Sequence, residues 1–159
     1  MSYKLSRQDQ ENLLHLAAAA TNTMGWKTDA VAFAVSREGE DEIKAIGVFE
    51  DFTAAREATF SFALMRPGFG MTRGLIDALL KLAFHHRALN LDRLWMQAAA
   101  DNVASQVAMI KLGAGFEYRK RGAIRGKASG ADIVKDAIVF SLVSPRLAAP
   151  AARAQDEEG

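Results

Sequence analysis

Midway along the chain, a strictly alternating run from Glu57 to Phe62 leads into Arg66-Pro67-Gly68-Phe69-Gly70 and then into a helical stripe. The stripe, Leu75, Leu79, Leu82 and Ala83, predicts a helix from about Met71 to Ala88. Another apolar run, Leu91 to Ala98, reads as a strand. A strand, a helix and a strand in succession cross over right-handed and pair in parallel or nearly so. That unit fixes the centre of a sheet, and the flanking segments must extend it.

Upstream, Ser6-Arg7-Gln8-Asp9 resembles a capping box, and Leu13, Leu14, Ala17, Ala20 and Met24 recur at helical spacing. They predict a helix from Ser6 to Met24, stopped by Gly25. Asp29 to Ser36 and Ile43 to Phe49 predict a hairpin around the charged turn Arg37 to Glu42. Downstream, Asp101 or Asn102 caps a short helix through Val103, Val107 and Ile110 to Leu112. Phe116 to Gly122 and Asp136 to Val143 are the last strands. The expected architecture is α+β: a mixed, mostly antiparallel sheet with a central parallel strand–helix–strand crossover and helices on both faces. Residues 1–143 are read as one domain and 144–159, rich in Ala, Pro and charge, as a disordered tail. The last strand is expected at an edge, where Phe140 to Val143 can pair with a second copy in a homodimer.

Composition excludes several classes. The formal net charge of +1 gives no general attraction to nucleic acid or membrane surfaces. There are no cysteines and only three histidines, so neither a thiol nucleophile nor a metal site is expected. No apolar run reaches the roughly 18 residues of a membrane span, and the polar N-terminus does not read as a signal peptide. A cytoplasmic location is the expectation.

The glycine turn has a specific chemical capacity. The first turn of a helix carries unpaired N–H groups and the positive end of its dipole. Glycines let a phosphate approach that backbone. Gly68, Gly70 and Gly74 punctuate the turn, with Arg66 and Arg73 beside it. It lacks the Gly-Lys-Ser/Thr ending of a P-loop and the Gly-x-Gly-x-x-Gly spacing of a dinucleotide fold.

Further segments narrow the ligand. Asp101-Asn102-Val103-Ala104-Ser105, Lys111-Leu112-Gly113, Arg125 and Asp136 ahead of Ala137 to Leu142 follow in order after Gly68 to Phe84. With the turn, they resemble the GNAT superfamily of N-acetyltransferases, most similarly the branch that acetylates ribosomal-protein N-termini. The resemblance covers about Ala58 to Leu142. It implies acetyl-CoA as cosubstrate and an amine as acceptor. It gives the pyrophosphate to Gly68, Phe69, Gly70, Met71, Thr72, Arg73 and Gly74. It gives the pantetheine arm to the backbone of Ala63, Leu64 and Met65, and to Asn102 and Ser105.

The chain departs from the family at three points. Met65 stands where Gln or Arg is common, and Met109 where many members carry a Tyr as general acid. The acid is then Ser105, Tyr118, water or no group at all. About 28 residues precede the first clear strand, fewer than the family uses to wall its acceptor site, so an open pocket is expected. The catalytic candidates are Glu57 as base, on a polar strand face with Thr59 and Ser61, and Ser105 beside the leaving thiolate. Glu50 and Asp51 are second choices for the base, and Tyr118 reads as packing beside Phe116. His15 reads as structural and His85-His86 as a solvated helix end. The basic run Arg119, Lys120, Arg121, Arg125 and Lys127 reads as a solvated strand and loop, or as an attraction for the coenzyme's adenosine phosphates or an acidic acceptor protein. A second class remains beside the enzyme: a GNAT-like module that binds a partner protein without catalysis.

Overall fold

The computed structural model describes residues 2–21, 23, 25–65 and 72–147. Its elements run β1 (Tyr3–Ser6), α1 (Gln10–Thr21), β2 (Val31–Arg37), β3 (Ala45–Glu50), β4 (Glu57–Leu64) and α2 (Thr72–Phe84). There follow β5 (Arg93–Ala99), α3 (Val103–Lys111), β6 (Gly115–Ala128) and β7 (Ala131–Val143). The strands form one seven-stranded sheet in the order β1-β2-β3-β4-β5-β7-β6. All neighbours are antiparallel except β4 and β5, as the crossover requires.

Period-2 patterning sorts β4 as expected. Ala58 and Phe60 are buried on one face, while Glu57, Thr59 and Ser61 occupy the other. The first face packs under α2, where Leu75, Leu79 and Ala83 are almost fully buried against Phe33, Phe49, Phe60, Leu94 and Phe140. Phe49 stacks at tilted or edge geometry on both Phe33 and Phe60, with centroids 6.0 and 5.0 Å apart. Helix α1 covers part of the other face through Leu13 and Ala17, over Ala32, Ala34, Ile46, Val48 and Ala63. Glycine at position 47 makes room for α2: a Cβ there would sit 2.7 Å from Leu79 Cδ2 and 3.1 Å from Phe60 Cε2.

The N-terminal segment corrects the expected helix over 6–24. Ser6 ends a strand, paired with Ala34, instead of capping a helix. Its hydroxyl accepts the Gln8 N–H at 3.3 Å. Asp9 takes φ 57°, and its carbonyl accepts the Leu13 N–H, so the helix starts there. The Gln10 side chain does what the next strand residue would have done. Its Oε1 accepts the Ala32 N–H at 2.8 Å and its Nε2 donates to Ala32 O at 2.7 Å. One amide side chain thus closes the β1 ladder and opens α1. His15 on that helix is exposed, not packed.

The C-terminal half differs from expectation in three ways. Strand β7 lies between β5 and β6, so the edges of the sheet are β1 and β6. Strands β6 and β7 form a long hairpin closed by Ser129 and Gly130, both at positive φ (52° and 80°), the conformation a tight two-residue turn needs. Of the tail expected from residue 144, Ser144 and Arg146 are held against the domain, and residues 148–159 lie outside the described residues. Ser144 is buried, with its N–H on Asp92 O at 2.8 Å. The Arg146 guanidinium donates to Asn90 Oδ1, Leu91 O and Asp92 Oδ1 at 2.7 to 3.1 Å.

Candidate active site

The site begins where the parallel pairing stops. Strands β4 and β5 are paired only at Glu57–Arg93, Ala58–Leu94 and Thr59–Trp95. Beyond that rung β4 stays paired with β3 as far as Leu64, and β5 stays paired with β7 as far as Ala99. A gap therefore opens between two well-anchored strands. Its β4 wall ends at Ala63, Leu64 and Met65, and its β5 wall ends at α3. The first turn of α2, from Thr72, follows the β4 end, and the amides of a helix's first turn have no partner inside the helix.

At the closed end of the gap lies a network of side chains on the face that α1 leaves uncovered. Trp95 Nε1 donates to Glu57 Oε1 at 2.8 Å. Arg93 lies over the Trp95 ring, 5.4 Å from its centroid. It also pairs loosely with Glu57 (3.7 Å) and Glu117 (4.0 Å). Ser141 Oγ donates to the other carboxylate, Glu117 Oε1, at 2.7 Å. An open cleft of about 430 Å³ adjoins this network, lined by Ala55, Glu57, Asp92, Arg93, Trp95 and Leu147. A larger groove, about 630 Å³, runs between β1 and α2 near Asp77, Lys81 and His85. It belongs to the opposite edge of the sheet and contains none of these groups.

Helix α3 supplies the other wall. Asn102 caps it, its Oδ1 accepting the Ser105 N–H at 3.2 Å. The cap uses one lone pair of the Asn102 oxygen, and its amide NH2 makes no hydrogen bond among the described residues. Gln106 Nε2 donates to Ala99 O and Ala100 O at 3.1 Å each, which binds α3 to the end of β5. Met109 turns inward and packs against the α2-side core. A hydrophobic residue there adds packing and offers no proton.

Other candidates separate. Gly74 lies against β1: a Cβ on it would come to 3.0 Å from Tyr3 Cε2, so the close approach of α2 to Tyr3 also calls for a glycine here. Arg73 pairs with Asp77 along α2 at 3.3 Å. Arg66, Pro67, Gly68, Phe69, Gly70 and Met71, with the Thr72 side chain, lie outside the described residues. Glu50, at the end of β3, accepts the Lys27 N–H, and Asp51, at φ 58° just beyond it, donates its N–H to Asp29. His85 and His86 are exposed and stacked, 4.6 Å between centroids.

Tyr118 does not alternate with Phe116. A bulge at Glu117 sets Phe116 opposite Phe140 and Tyr118 opposite Val139, so the two rings point to opposite faces. Both are exposed, Tyr118 on the face of Trp95 and Gln97. Asp136 holds the second irregularity of β6. It accepts the Gly122 N–H and Arg119 Nε, both at 2.9 Å, and these bonds, the backbone one foremost, hold its carboxyl below the usual aspartate range. Asp92 is lowered likewise, chiefly by the Arg146 hydrogen bond and then by Arg56. Among the described residues no group of three or more His, Asp or Glu is arranged for a metal ion.

Residues 1–115 match the sequence profile of the Acetyltransferase (GNAT) domain family. The chain belongs to the GNAT acetyltransferase family. Its fold is the GNAT acyltransferase fold, and its chemistry is acetyl-CoA-dependent acetyl transfer. Among solved structures it is similar to a spermidine N-acetyltransferase chimera built from the Vibrio cholerae and human enzymes. The TM-score is 0.70 at 15% identity, covering 92% of this chain and 98% of that one. A single-residue variant of the Vibrio cholerae spermidine N-acetyltransferase gives TM-score 0.72 at 17% identity, covering 89% and 93%. The same bacterial enzyme crystallised with manganese ions gives 0.70 at 16%, covering 89% and 92%. No curated protein matches at a significant level.

The described residues fit a GNAT cosubstrate. An extended arm with amide groups can pair with the β4 backbone in the gap, as an added strand would.

Proposed function

We propose that the protein transfers acetyl directly from acetyl-CoA to a primary amine, with Glu57 as the base. The observation that carries this reading is the end of parallel pairing at Thr59–Trp95 with the Glu57 carboxylate at the closed end of the gap. The Phe60–Leu64 backbone, with Met65, binds the pantetheine arm, and Asn102 and Ser105 flank the thioester. Glu57 takes the proton that the acceptor ammonium loses, directly or through one water. The free amine attacks the acetyl carbonyl, the C–N bond forms, the C–S bond breaks, and backbone N–H groups on the gap walls steady the developing negative charge. The thiolate receives its proton from Ser105 or solvent, since Met109 carries none.

Protein N-termini, lysines and small polyamines all supply the required amine. The motif order favours the ribosomal-protein branch, and the solved structures of similar fold favour a polyamine. The cleft carries Glu57 and Asp92 together with Arg93, so it is not strongly anionic. That favours a singly charged amine, such as a peptide N-terminus, over a triply charged polyamine.

Calorimetric titration with acetyl-CoA followed by transfer to peptide, lysine and polyamine acceptors tests the proposal. Wild type, Glu57→Gln and Ser105→Ala should all bind acetyl-CoA, and both variants should transfer more slowly. Absence of binding would favour the non-catalytic module. Equal transfer rates in all three would remove these residue roles.

A further inference from the structure

The cleft beside Glu57 already holds a cation of its own. Arg93 is the first residue of β5 and stands opposite Glu57 on β4. Its guanidinium lies over the Trp95 ring, with Nε 3.7 Å from Glu57 Oε1 and Nη1 4.0 Å from Glu117 Oε1. An aromatic face and opposite charges are what attract an organic cation. The bulge in β6 brings Glu117 to this place, and Ser141 Oγ holds its carboxylate there with a 2.7 Å hydrogen bond.

Arg93 is tied in less firmly than its neighbours. Arg56 donates to Asp92 at 3.0 to 3.1 Å, and Arg146 donates to Asn90, Leu91 and Asp92 at 2.7 to 3.1 Å. Those two side chains are bonded into the fold. The Arg93 guanidinium makes no hydrogen bond among the described residues, since both carboxylates stand beyond that distance. Its side chain is 38% exposed and lines the open cleft.

The charge on Arg93 limits what the cleft accepts. Glu57 and Glu117 each bring a negative charge, and Arg93 cancels one of them. Asp92, also on the cleft, is neutralised by Arg56 and Arg146. The charge left over matches one ammonium. A second ammonium on the same acceptor meets the guanidinium, and such a built-in repulsion is how one ligand class is chosen over another.

We propose that Arg93 is a specificity-determining residue: it occupies the cation site formed by Glu57, Glu117 and Trp95, and so restricts the acceptor to amines with a single positive charge. The proposal rests on the reading of this cleft as the acceptor site.

Pentylamine and cadaverine, which differ by one ammonium at equal chain length, test it. Two ratios of cadaverine to pentylamine are measured: kcat/KM for acetyl transfer, and affinity for the protein saturated with CoA. Arg93→Gln should raise both ratios about tenfold or more, and Arg93→Lys, which keeps the charge, should hold them within about twofold of wild type. Adding Glu117→Gln to Arg93→Gln removes the charge that Arg93 had balanced, and should return both ratios toward wild type. A merely structural Arg93 would weaken both amines alike and leave the ratios unmoved. Unchanged ratios in Arg93→Gln, an equal rise in Arg93→Lys, or no binding of either amine to any form overturns the proposal. A shifted binding ratio with no acetylation of either amine upholds the role of Arg93 and removes the transfer reading. Acetylation of both amines at a ratio that Arg93→Gln leaves unmoved does the reverse.

Discussion

The Trp95 indole donates to Glu57 Oε1 at 2.8 Å, from the last parallel rung of the sheet to a residue two places back on the neighbouring strand. The bond fixes one carboxylate oxygen of Glu57 and leaves the other for an acceptor proton. Trp95 touches no substrate in this scheme, so its role is to position the base. Trp95→Phe keeps the ring and removes the donor. A hydrogen bond to a charged group contributes about 1.5–3 kcal/mol, so kcat should fall by about tenfold or more while acetyl-CoA affinity is retained. Unchanged kcat would show that Glu57 is placed without the indole.

Asn102 and Ser105 should separate stability from catalysis. Asn102→Ala removes the α3 cap, costing about 1 kcal/mol. In a domain of this size that lowers Tm by about 2–4 °C. Ser105→Ala keeps the backbone N–H that the cap uses, so Tm should hold while transfer slows. Calorimetric melting beside steady-state rates checks both, and a lowered Tm in Ser105→Ala would assign that hydroxyl to the fold.

Gly47→Ala should destabilise although it adds one methyl. The new Cβ would lie under 3 Å from both Leu79 Cδ atoms, in a fully buried site beneath α2. Overpacking of this kind costs about 1–3 kcal/mol. Urea unfolding would read it, and Gly47→Ala with Leu79→Ala should recover part of the loss, since the second change removes the atoms that clash.

Acid should unfold the protein through its hydrogen-bonded aspartates. Asp29, Asp92, Asp101 and Asp136 all titrate below the ordinary 3.8. The leading causes are backbone N–H donors at Asp29 and Asp136, Arg146 at Asp92 and Lys135 at Asp101. A lowered folded-state value means that the stabilisation is present above 3.8 and is lost as pH falls through the folded values. With respect to these groups Tm should be level between pH 5 and 7 and fall below about pH 4. Asp92→Asn and Asp136→Asn should each flatten that acid limb. A melting temperature that begins falling near pH 6 would point to other groups.

Local spacing reached most of the elements. The alternation of Glu57 to Phe62, the stripe of α2 and the Asn102 cap are all written within a few residues, and all three are present. Strand β1 was not legible because it is four residues long and is completed by Gln10, whose partner Ala32 is 22 residues away. The bulge at Glu117 carries no sequence mark, so period-2 counting put Tyr118 on the wrong face.

The sequence by itself determined the crossover, the polar face of β4 and the family, because each depends on order and short-range spacing. Only the tertiary structure decided which groups gather around Arg93 and Glu57. Trp95 is 38 residues away and Glu117 is 60, and the sheet brings both beside Arg93 through pairings that no local pattern encodes. It also decided that Met109 faces the core while Val103, Val107 and Ile110 face out. A helix that is apolar on two sides can bury only one against the sheet, and the packing of its neighbours selects which.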